Sequence, residues 1–256
     1  MEKYLIVDVG NSIISFAIFS NEKIEHRLDV ISELNHVLRL KDFLASFIKD
    51  KKIKTNDIKD GLICSVVPFF NSDIKKAIKL TFGVELKVMD SSYFEHLEMI
   101  VDDRKEVGGD IAADVMAAKS LFGGPAFVCD LGTITKNIVL DKDNVFVGVS
   151  FFPGVQACIS AMRDKTALLP EVELKEKPAK LLGNNTLEAL GSGVFYATLS
   201  GIKAYGEQIE AKYGKSIKKI LTGGNSALFA PYLDEYVYEP DLVLKGIYFL
   251  FNEHRG

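Results

Sequence analysis

The sequence predicts an α/β protein built from two related lobes, and three observations carry that prediction. Short apolar runs rich in valine and isoleucine alternate with stretches of helical periodicity, the pattern of sheets covered by helices. The segment Leu5-Ile6-Val7-Asp8-Val9-Gly10 recurs as Phe127-Val128-Cys129-Asp130-Leu131-Gly132, at an offset of 122 residues. The offset runs on without a gap, setting Phe16-Ala17-Ile18-Phe19 against Ile138-Val139-Leu140-Asp141 and the turn residue Asn21 against Asp143. A repeated strand–(Asp-x-Gly)–strand–turn–strand unit implies duplication, with lobes expected over 1–112 and 113–256.

The elements follow in order. Tyr4 to Asp8 and Ile13 to Phe19 are strand-like, and Asn21-Glu22 turns into a third strand at Lys23 to Leu28. Ile31 to Asp50 carries Leu34, Val37, Leu38, Phe43, Leu44, Phe47 and Ile48 at helical spacing. Gly61 to Val67 reads as a buried strand closed by Pro68, Ser72 to Phe82 as a helix, and Glu85 to Asp90 as a strand. A helix from Gly109 to Phe122 is stopped by Gly123-Gly124-Pro125. Ala126 to Asp130 is the next strand, Ile138 to Val149 a hairpin about Asp143-Asn144, and Gly154 to Lys165 a helix.

Asn185, with Glu188 three residues on, has the form of a capping box. It opens a helix over Thr186 to Tyr213 that contains Gly191, Gly193 and Gly201. Each interior glycine costs about 1 kcal/mol relative to alanine, so close packing against another backbone is expected there. Ile217 to Thr222 is a strand ending in Gly223-Gly224, and Leu242 to Phe251 is a closing helix.

Composition narrows the function classes. The 256 residues are 48% hydrophobic, enough for two modest domains. A net charge of −4 with scattered lysines excludes a basic nucleic-acid footprint and a membrane patch. The longest apolar stretch, Val145 to Met162, is interrupted by Pro153 and Gly154 and is too short to span a bilayer. The opening Met-Glu-Lys-Tyr lacks a signal-peptide pattern. The expectation is a cytoplasmic protein that engages neither nucleic acid nor membrane. Cys64, Cys129 and Cys158 form no C-x-x-C pair, and the first two read as small buried hydrophobes. His26, His36, His96 and His254 lie scattered, none beside a plausible catalytic partner.

The Asp-x-Gly turns suggest phosphate chemistry. An aspartate at a strand end can orient a metal ion or its waters, and glycine lets a phosphate approach backbone N–H groups. Asn11 and Ser12 in the first turn, and Thr133 and Thr135 in the second, add donors. Two such turns facing across a cleft can hold a triphosphate from both sides. No G-x-x-x-x-G-K-[ST] occurs, and Gly191-Ser192-Gly193 lacks the rest of a dinucleotide fingerprint. A third constellation, Glu106-Val107-Gly108-Gly109-Asp110, opens a helix. Asp110 there is either a helix cap or a base for a substrate hydroxyl in phosphoryl transfer. Asp114, one turn later, is expected to be a solvent or cap residue.

In this order the motifs resemble type III pantothenate kinase, of the acetate and sugar kinase/Hsp70/actin superfamily. The matching segments are Asp8-Val9-Gly10-Asn11-Ser12, Ser65-Val66-Val67-Pro68, Glu106 to Asp110, Gly123-Gly124-Pro125, Asp130-Leu131-Gly132-Thr133, Pro153-Gly154, Leu169-Pro170, Asn185-Thr186 and Thr222-Gly223-Gly224. The resemblance implies the duplicated actin-like ATPase (ribonuclease H-like) fold. It also implies ATP-dependent phosphorylation of pantothenate to 4′-phosphopantothenate, the first step of coenzyme A biosynthesis. ATP would come with Mg2+, a monovalent cation (K+ or NH4+) would be bound, and the protein would be a homodimer.

By position, Asp8, Val9, Gly10, Asn11, Ser12, Ile13, Ile14 and Ser15 would line the ATP phosphates, with Thr133 facing them. Asp110 would be the proton acceptor and Asp130 the ligand of the monovalent cation. Gly108, Gly109, Asp110, Ile111 and Thr186 would border pantothenate, Thr186 near the dimer interface.

The chain departs from the family pattern at several positions. Val101 stands where the family usually has a tyrosine, Asp103-Arg104 where it has Asn-Pro, and Ile111 where it has an arginine. Ile134-Thr135-Lys136-Asn137-Ile138 replaces a small residue, two threonines, an aromatic and an aspartate. Arg104 and Lys136 are candidate substitutes for the missing guanidinium. The alternatives are a non-catalytic nucleotide-binding regulatory homologue, or a kinase of this fold for another small hydroxylated substrate.

Overall fold

The structure is a computed structural model that describes residues 2–32 and 37–255. The chain packs as two compact units. The first comprises residues 1–97, 102–120 and 243–256, and the second residues 98–101 and 121–242. The expected boundary at 112 falls inside a helix that belongs to the first unit through Ser120, and the C-terminal segment from Val243 also belongs to that unit.

In the first unit, β1 (Lys3–Val9), β2 (Ile13–Ser20) and β3 (Lys23–Ile31) form an antiparallel meander, and β4 (Ile58–Ser65) and β5 (Lys87–Val88) add parallel strands. The sheet order is β3-β2-β1-β4-β5. Asn21 and Glu22 both have positive φ, 48° and 64°, as a tight hairpin turn requires. The third strand continues to Ile31, so the helix expected from Ile31 does not start there; over the described residues it is α1 (Val37–Asp50). Leu34 and His36 lie outside the described residues. The strand expected over Glu85 to Asp90 shrinks to β5.

Leu5, Val7 and Val9 point into a core shared with Leu40 and Leu44 of α1 and with Ile74 and Ile78 of α2 (Asn71–Phe82). Strand side chains alternate, so Ile6 and Asp8 point to the opposite face. On that side lie α3 (Gly109–Phe122) and, returning from the C-terminus, the chain's last helix, Leu242–Arg255. Phe19 stacks on Tyr248 of that last helix with ring centroids 4.3 Å apart. A Cβ on Gly246 would meet Ala113 O at 1.9 Å, so the two helices touch backbone to backbone. Small residues permit this approach. Ala112, Ala113, Ala117 and Ala118 are fully buried.

The second unit repeats this plan. β6 (Ala126–Leu131), β7 (Ile134–Leu140) and β8 (Phe146–Pro153) form the meander, and β9 (Lys218–Thr222) and β10 (Tyr236–Tyr238) run parallel. The order β8-β7-β6-β9-β10 matches the first sheet strand for strand. One face packs on α4 (Val155–Asp164), α5 (Thr186–Tyr213) and the short α6 (Ser226–Phe229), through Phe127, Cys129, Ile159, Phe195 and Phe229. The last helix is then α7.

The repeat is not gapless. Asp8 pairs with Ser15, seven residues on, whereas Asp130 pairs with Lys136, six residues on. The second turn is one residue shorter, so the structural counterpart of Ser15 is Lys136 and that of Phe16 is Asn137 rather than Ile138. A one-residue slip moves side chains to the other face of a sheet, which is why the ungapped alignment misplaces this strand.

The close packing against another backbone expected at the α5 glycines is not supplied by the described residues at Gly193 or Gly201, where a Cβ would meet nothing within 4 Å. At Gly191 it would make only ordinary contacts, the nearest at 3.7 Å to Leu174 Cδ1. Gly206, further along α5, is approached closely by a side chain instead: a Cβ there would lie 2.2 Å from Tyr236 Oη. No described helix is long and apolar enough to cross a membrane.

Candidate active site

In the first unit the candidate residues gather at the ends of β1 and β4. The β1–β2 turn is tight, with Gly10 N–H donating to Ile13 O at 3.0 Å. Ser32 holds it from the side, its hydroxyl donating to Gly10 O at 2.8 Å and its N–H to Ser12 O at 2.9 Å. Val66 N–H donates to Val9 O at 3.1 Å. Asn11, Ser12 and Ile13 remain exposed on the braced turn, while Ile14 and Ser15 are buried in β2.

Asp8 pairs in register with Cys64. The start of α3 is pressed onto that same place. A Cβ on Gly109 would lie 3.1 Å from Cys64 Sγ and 2.7 Å from Met89 Cε, so a larger residue there would have to push these side chains aside. A Cβ on Gly108 would lie 2.6 Å from Asp110 Oδ1, which shows the carboxylate folded back over Gly108. Asp8, the first turn and Gly108-Gly109-Asp110 are thus brought together on one face of one sheet. Cys64 and Cys129 are buried, as expected, and burial pushes the Cys129 thiol far above its ordinary range.

Ile111 is only 6% exposed. It is part of the first unit's interior, so the position where the family has a guanidinium is here apolar. Asp114 is 0% exposed. The expectation of a solvent or cap residue is therefore corrected, because α3 is buried on all sides from Ile111 to Ala118. Arg104, a candidate substitute for the missing arginine, is exposed, and its Nη2 donates to the carbonyls of Glu95, at 2.8 Å, and Leu97, at 2.5 Å.

In the second unit the turn Gly132-Thr133 is braced from two sides. A Cβ on Gly154 would lie 2.4 Å from Gly132 O and 2.5 Å from Thr133 O, and Gly154 N–H donates to Thr133 O at 3.2 Å. Asn225 N–H donates to Leu131 O at 2.9 Å, the counterpart of the Val66 bond, and its Nδ2 to Gly132 O at 3.3 Å. Thr133 is exposed on top. Asp130 lies beneath, 4% exposed, with Lys136 Nζ 2.6 Å from Oδ2. Lys136 is thus paired with Asp130 in the interior of the unit. The braces Ser32 and Asn225, and the contact that Gly154 makes, escaped sequence reading, since they lie far along the chain from the turns they hold.

Thr186 sits elsewhere in this unit, at the start of α5. Asn185 Oδ1 accepts from Glu188 N–H at 3.0 Å, and Glu188 Oε2 accepts from Asn184 N–H at 2.9 Å. The capping box is therefore formed, its return bond reaching Asn184 rather than Asn185. Thr186 borders a cavity of about 840 Å³ between α4 and α5, with Phe152, Met162, Leu190, Val194 and Thr198. These helices cover the sheet face of Cys129, so Thr186 and Asp130 are not brought together within the unit. Of the described histidines, His96 pairs with Glu253 at 2.7 Å, His254 stacks on Tyr93 with ring centroids 4.0 Å apart, and His26 lies perpendicular to Phe47 with ring centroids 6.3 Å apart.

No group of three or more His, Cys, Asp or Glu side chains that could hold a metal ion exists among the described residues. Mg2+ that arrives with a nucleotide needs no such group, because it is held largely by substrate phosphates and water.

Two like-ordered mixed sheets, each carrying an Asp-x-Gly turn at a strand end, define a protein of the duplicated actin-like ATPase fold. A solved structure of a putative 2-dehydro-3-deoxygalactonokinase from Sinorhizobium meliloti shares this fold, with a TM-score of 0.57 at 14% identity, over 98% of this chain and 96% of that one. The family model described as type III pantothenate kinase matches residues 4–208, and the chain belongs to that family. The type III pantothenate kinase of Bifidobacterium longum is 32% identical over 97% of this chain and 98% of its own. That of Agathobacter rectalis is 27% identical over 97% and 96%.

Proposed function

We propose that this chain transfers the γ-phosphoryl group of ATP to the primary hydroxyl of pantothenate, forming 4′-phosphopantothenate and ADP. The family match over residues 4–208 carries the reading. The placement of Asp110 on the same sheet face as Asp8 and the exposed first turn supports it.

Phosphoryl transfer needs positioning and charge stabilisation more than covalent help from the protein. Asp8 and the turn through Ser15 receive the phosphates of Mg2+-ATP, with Thr133 contributing from the second turn. Asn11, Ser12 and Ile13 are exposed on that turn. Asp110 accepts the hydroxyl proton as the substrate oxygen bonds to the γ-phosphorus and the bond to the bridging oxygen breaks. Gly108, Gly109, Ile111 and Thr186 border pantothenate.

The same reading makes the chain a cytoplasmic homodimer. Exposed Leu181, Leu182 and Leu187 and the open space at Gly193 and Gly201 support a second copy along α5. A monomeric mass in solution at micromolar concentration would count against it.

The reaction is tested with purified protein, ATP, Mg2+ and pantothenate, with Asp110→Asn as control. Product formation in the parent and its loss in the variant is expected. No product above the control overturns the reading.

A further inference from the structure

We propose that the Lys136 ammonium is a built-in cation that takes the place of the monovalent cation the family resemblance assigns to Asp130. The nucleotide site would then work without potassium or ammonium. The inference rests on the proposed kinase reading for what the cation does, and on the second unit's geometry for where it sits.

Asp130 and Lys136 are register partners on β6 and β7, and partners across a strand pair project from the same face. Lys136 Nζ lies 2.6 Å from Asp130 Oδ2, a charge-assisted bond, with side chains only 11% and 6% exposed. The other oxygen is also enclosed. A Cβ on Gly223, where φ is +92°, would lie 2.3 Å from Asp130 Oδ1. A free monovalent cation at this carboxylate would have to displace the ammonium or sit beside it against like-charge repulsion.

The first unit supplies an internal control. There the residue opposite Asp8 is Ser15, a neutral hydroxyl. Duplication alone therefore does not bring a cation to this position; the lysine does. Directly above it, the exposed Thr133 turn is the part proposed to face phosphate. A buried carboxylate left bare under that turn would repel an anion. Neutralising it is the service an ion would give, and a tethered ammonium gives it at every salt concentration.

The test reads nucleotide binding apart from turnover. Binding of a non-hydrolysable ATP analogue with Mg2+ is measured by calorimetry in sodium-free, potassium-free buffer and again with potassium chloride, choline chloride balancing the ionic strength. Wild-type affinity is expected to change less than twofold. Lys136→Thr is expected to lose at least tenfold without potassium and to regain most of it when potassium is added. A tenfold loss for wild type without potassium overturns the proposal, and that arm needs no variant to fold. So does a Lys136→Thr protein, folded by circular dichroism, that binds as well as wild type without potassium. If pantothenate is not phosphorylated at all, the kinase reading fails while these binding arms still decide the cation.

Discussion

The carboxylate of Asp110 lies over Gly108, close enough that a Cβ there would meet Asp110 Oδ1 at 2.6 Å. The glycine leaves the space that the carboxylate occupies. Gly108→Ala should push Asp110 aside without disturbing the core, because Gly108 lies just before α3 and is only half-buried. A misplacement of about 1 Å can cost on the order of a hundredfold in rate. We expect kcat for pantothenate phosphorylation to fall at least tenfold, with a melting temperature within a few degrees of wild type. Unchanged kcat would show that Gly108 does not position the carboxylate.

Gly154 supports the second turn in a similar way. Its backbone is extended, φ −67° and ψ 168°, which alanine adopts readily, so only space is at issue. The methyl of Gly154→Ala would press on the carbonyls of Gly132 and Thr133. Nucleotide affinity should weaken by about tenfold, or ~1.4 kcal/mol, while far-UV circular dichroism stays unchanged. Titration of an ATP analogue reads this directly.

Gly206 tests the packing of α5. Alanine would gain about 1 kcal/mol of helix propensity on an open surface. Here its methyl meets the Tyr236 hydroxyl, which is fixed by donating to Ile202 O at 2.9 Å. Overpacking of this kind costs about 1–3 kcal/mol. Gly206→Ala should therefore lower stability in urea unfolding, and a more stable variant would contradict the packing described.

Glu188 gives a pH dependence. The Asn184 N–H bond, then the Lys180 ammonium, hold its carboxyl below the ordinary range. A depressed carboxyl stabilises the fold above its unfolded pKa, about 4.3, and that contribution is lost as pH falls through the folded value. The difference in melting temperature between wild type and Glu188→Gln should be constant from about pH 7 to 5 and shrink towards about pH 3. A difference independent of pH would refute the role of the charge.

Much was legible along the chain because its causes are local. Strand alternation, the Asn21-Glu22 turn, the Asn185 cap and the α5 boundaries depend on neighbouring residues and short-range periodicity. The duplication was legible too, since two copies of the same strand-and-turn chemistry leave the same residues behind. The Asp-x-Gly turns and the Gly-Gly-Asp start of α3 named the candidate residues for the same reason.

Only the tertiary structure decided what those residues touch. It showed the one-residue difference between the turns that brings Lys136, not Asn137, opposite Asp130. It buried Asp114 and Ile111, because α3 is enclosed on every side, which no periodicity within the helix reveals. It placed Gly154 and Asn225 against a turn many residues away, and paired Lys136 with Asp130 in the interior of the second unit. Register and packing are set by contacts between distant segments. The sequence determined the parts and their duplication, and the packing of those parts decided which charges meet.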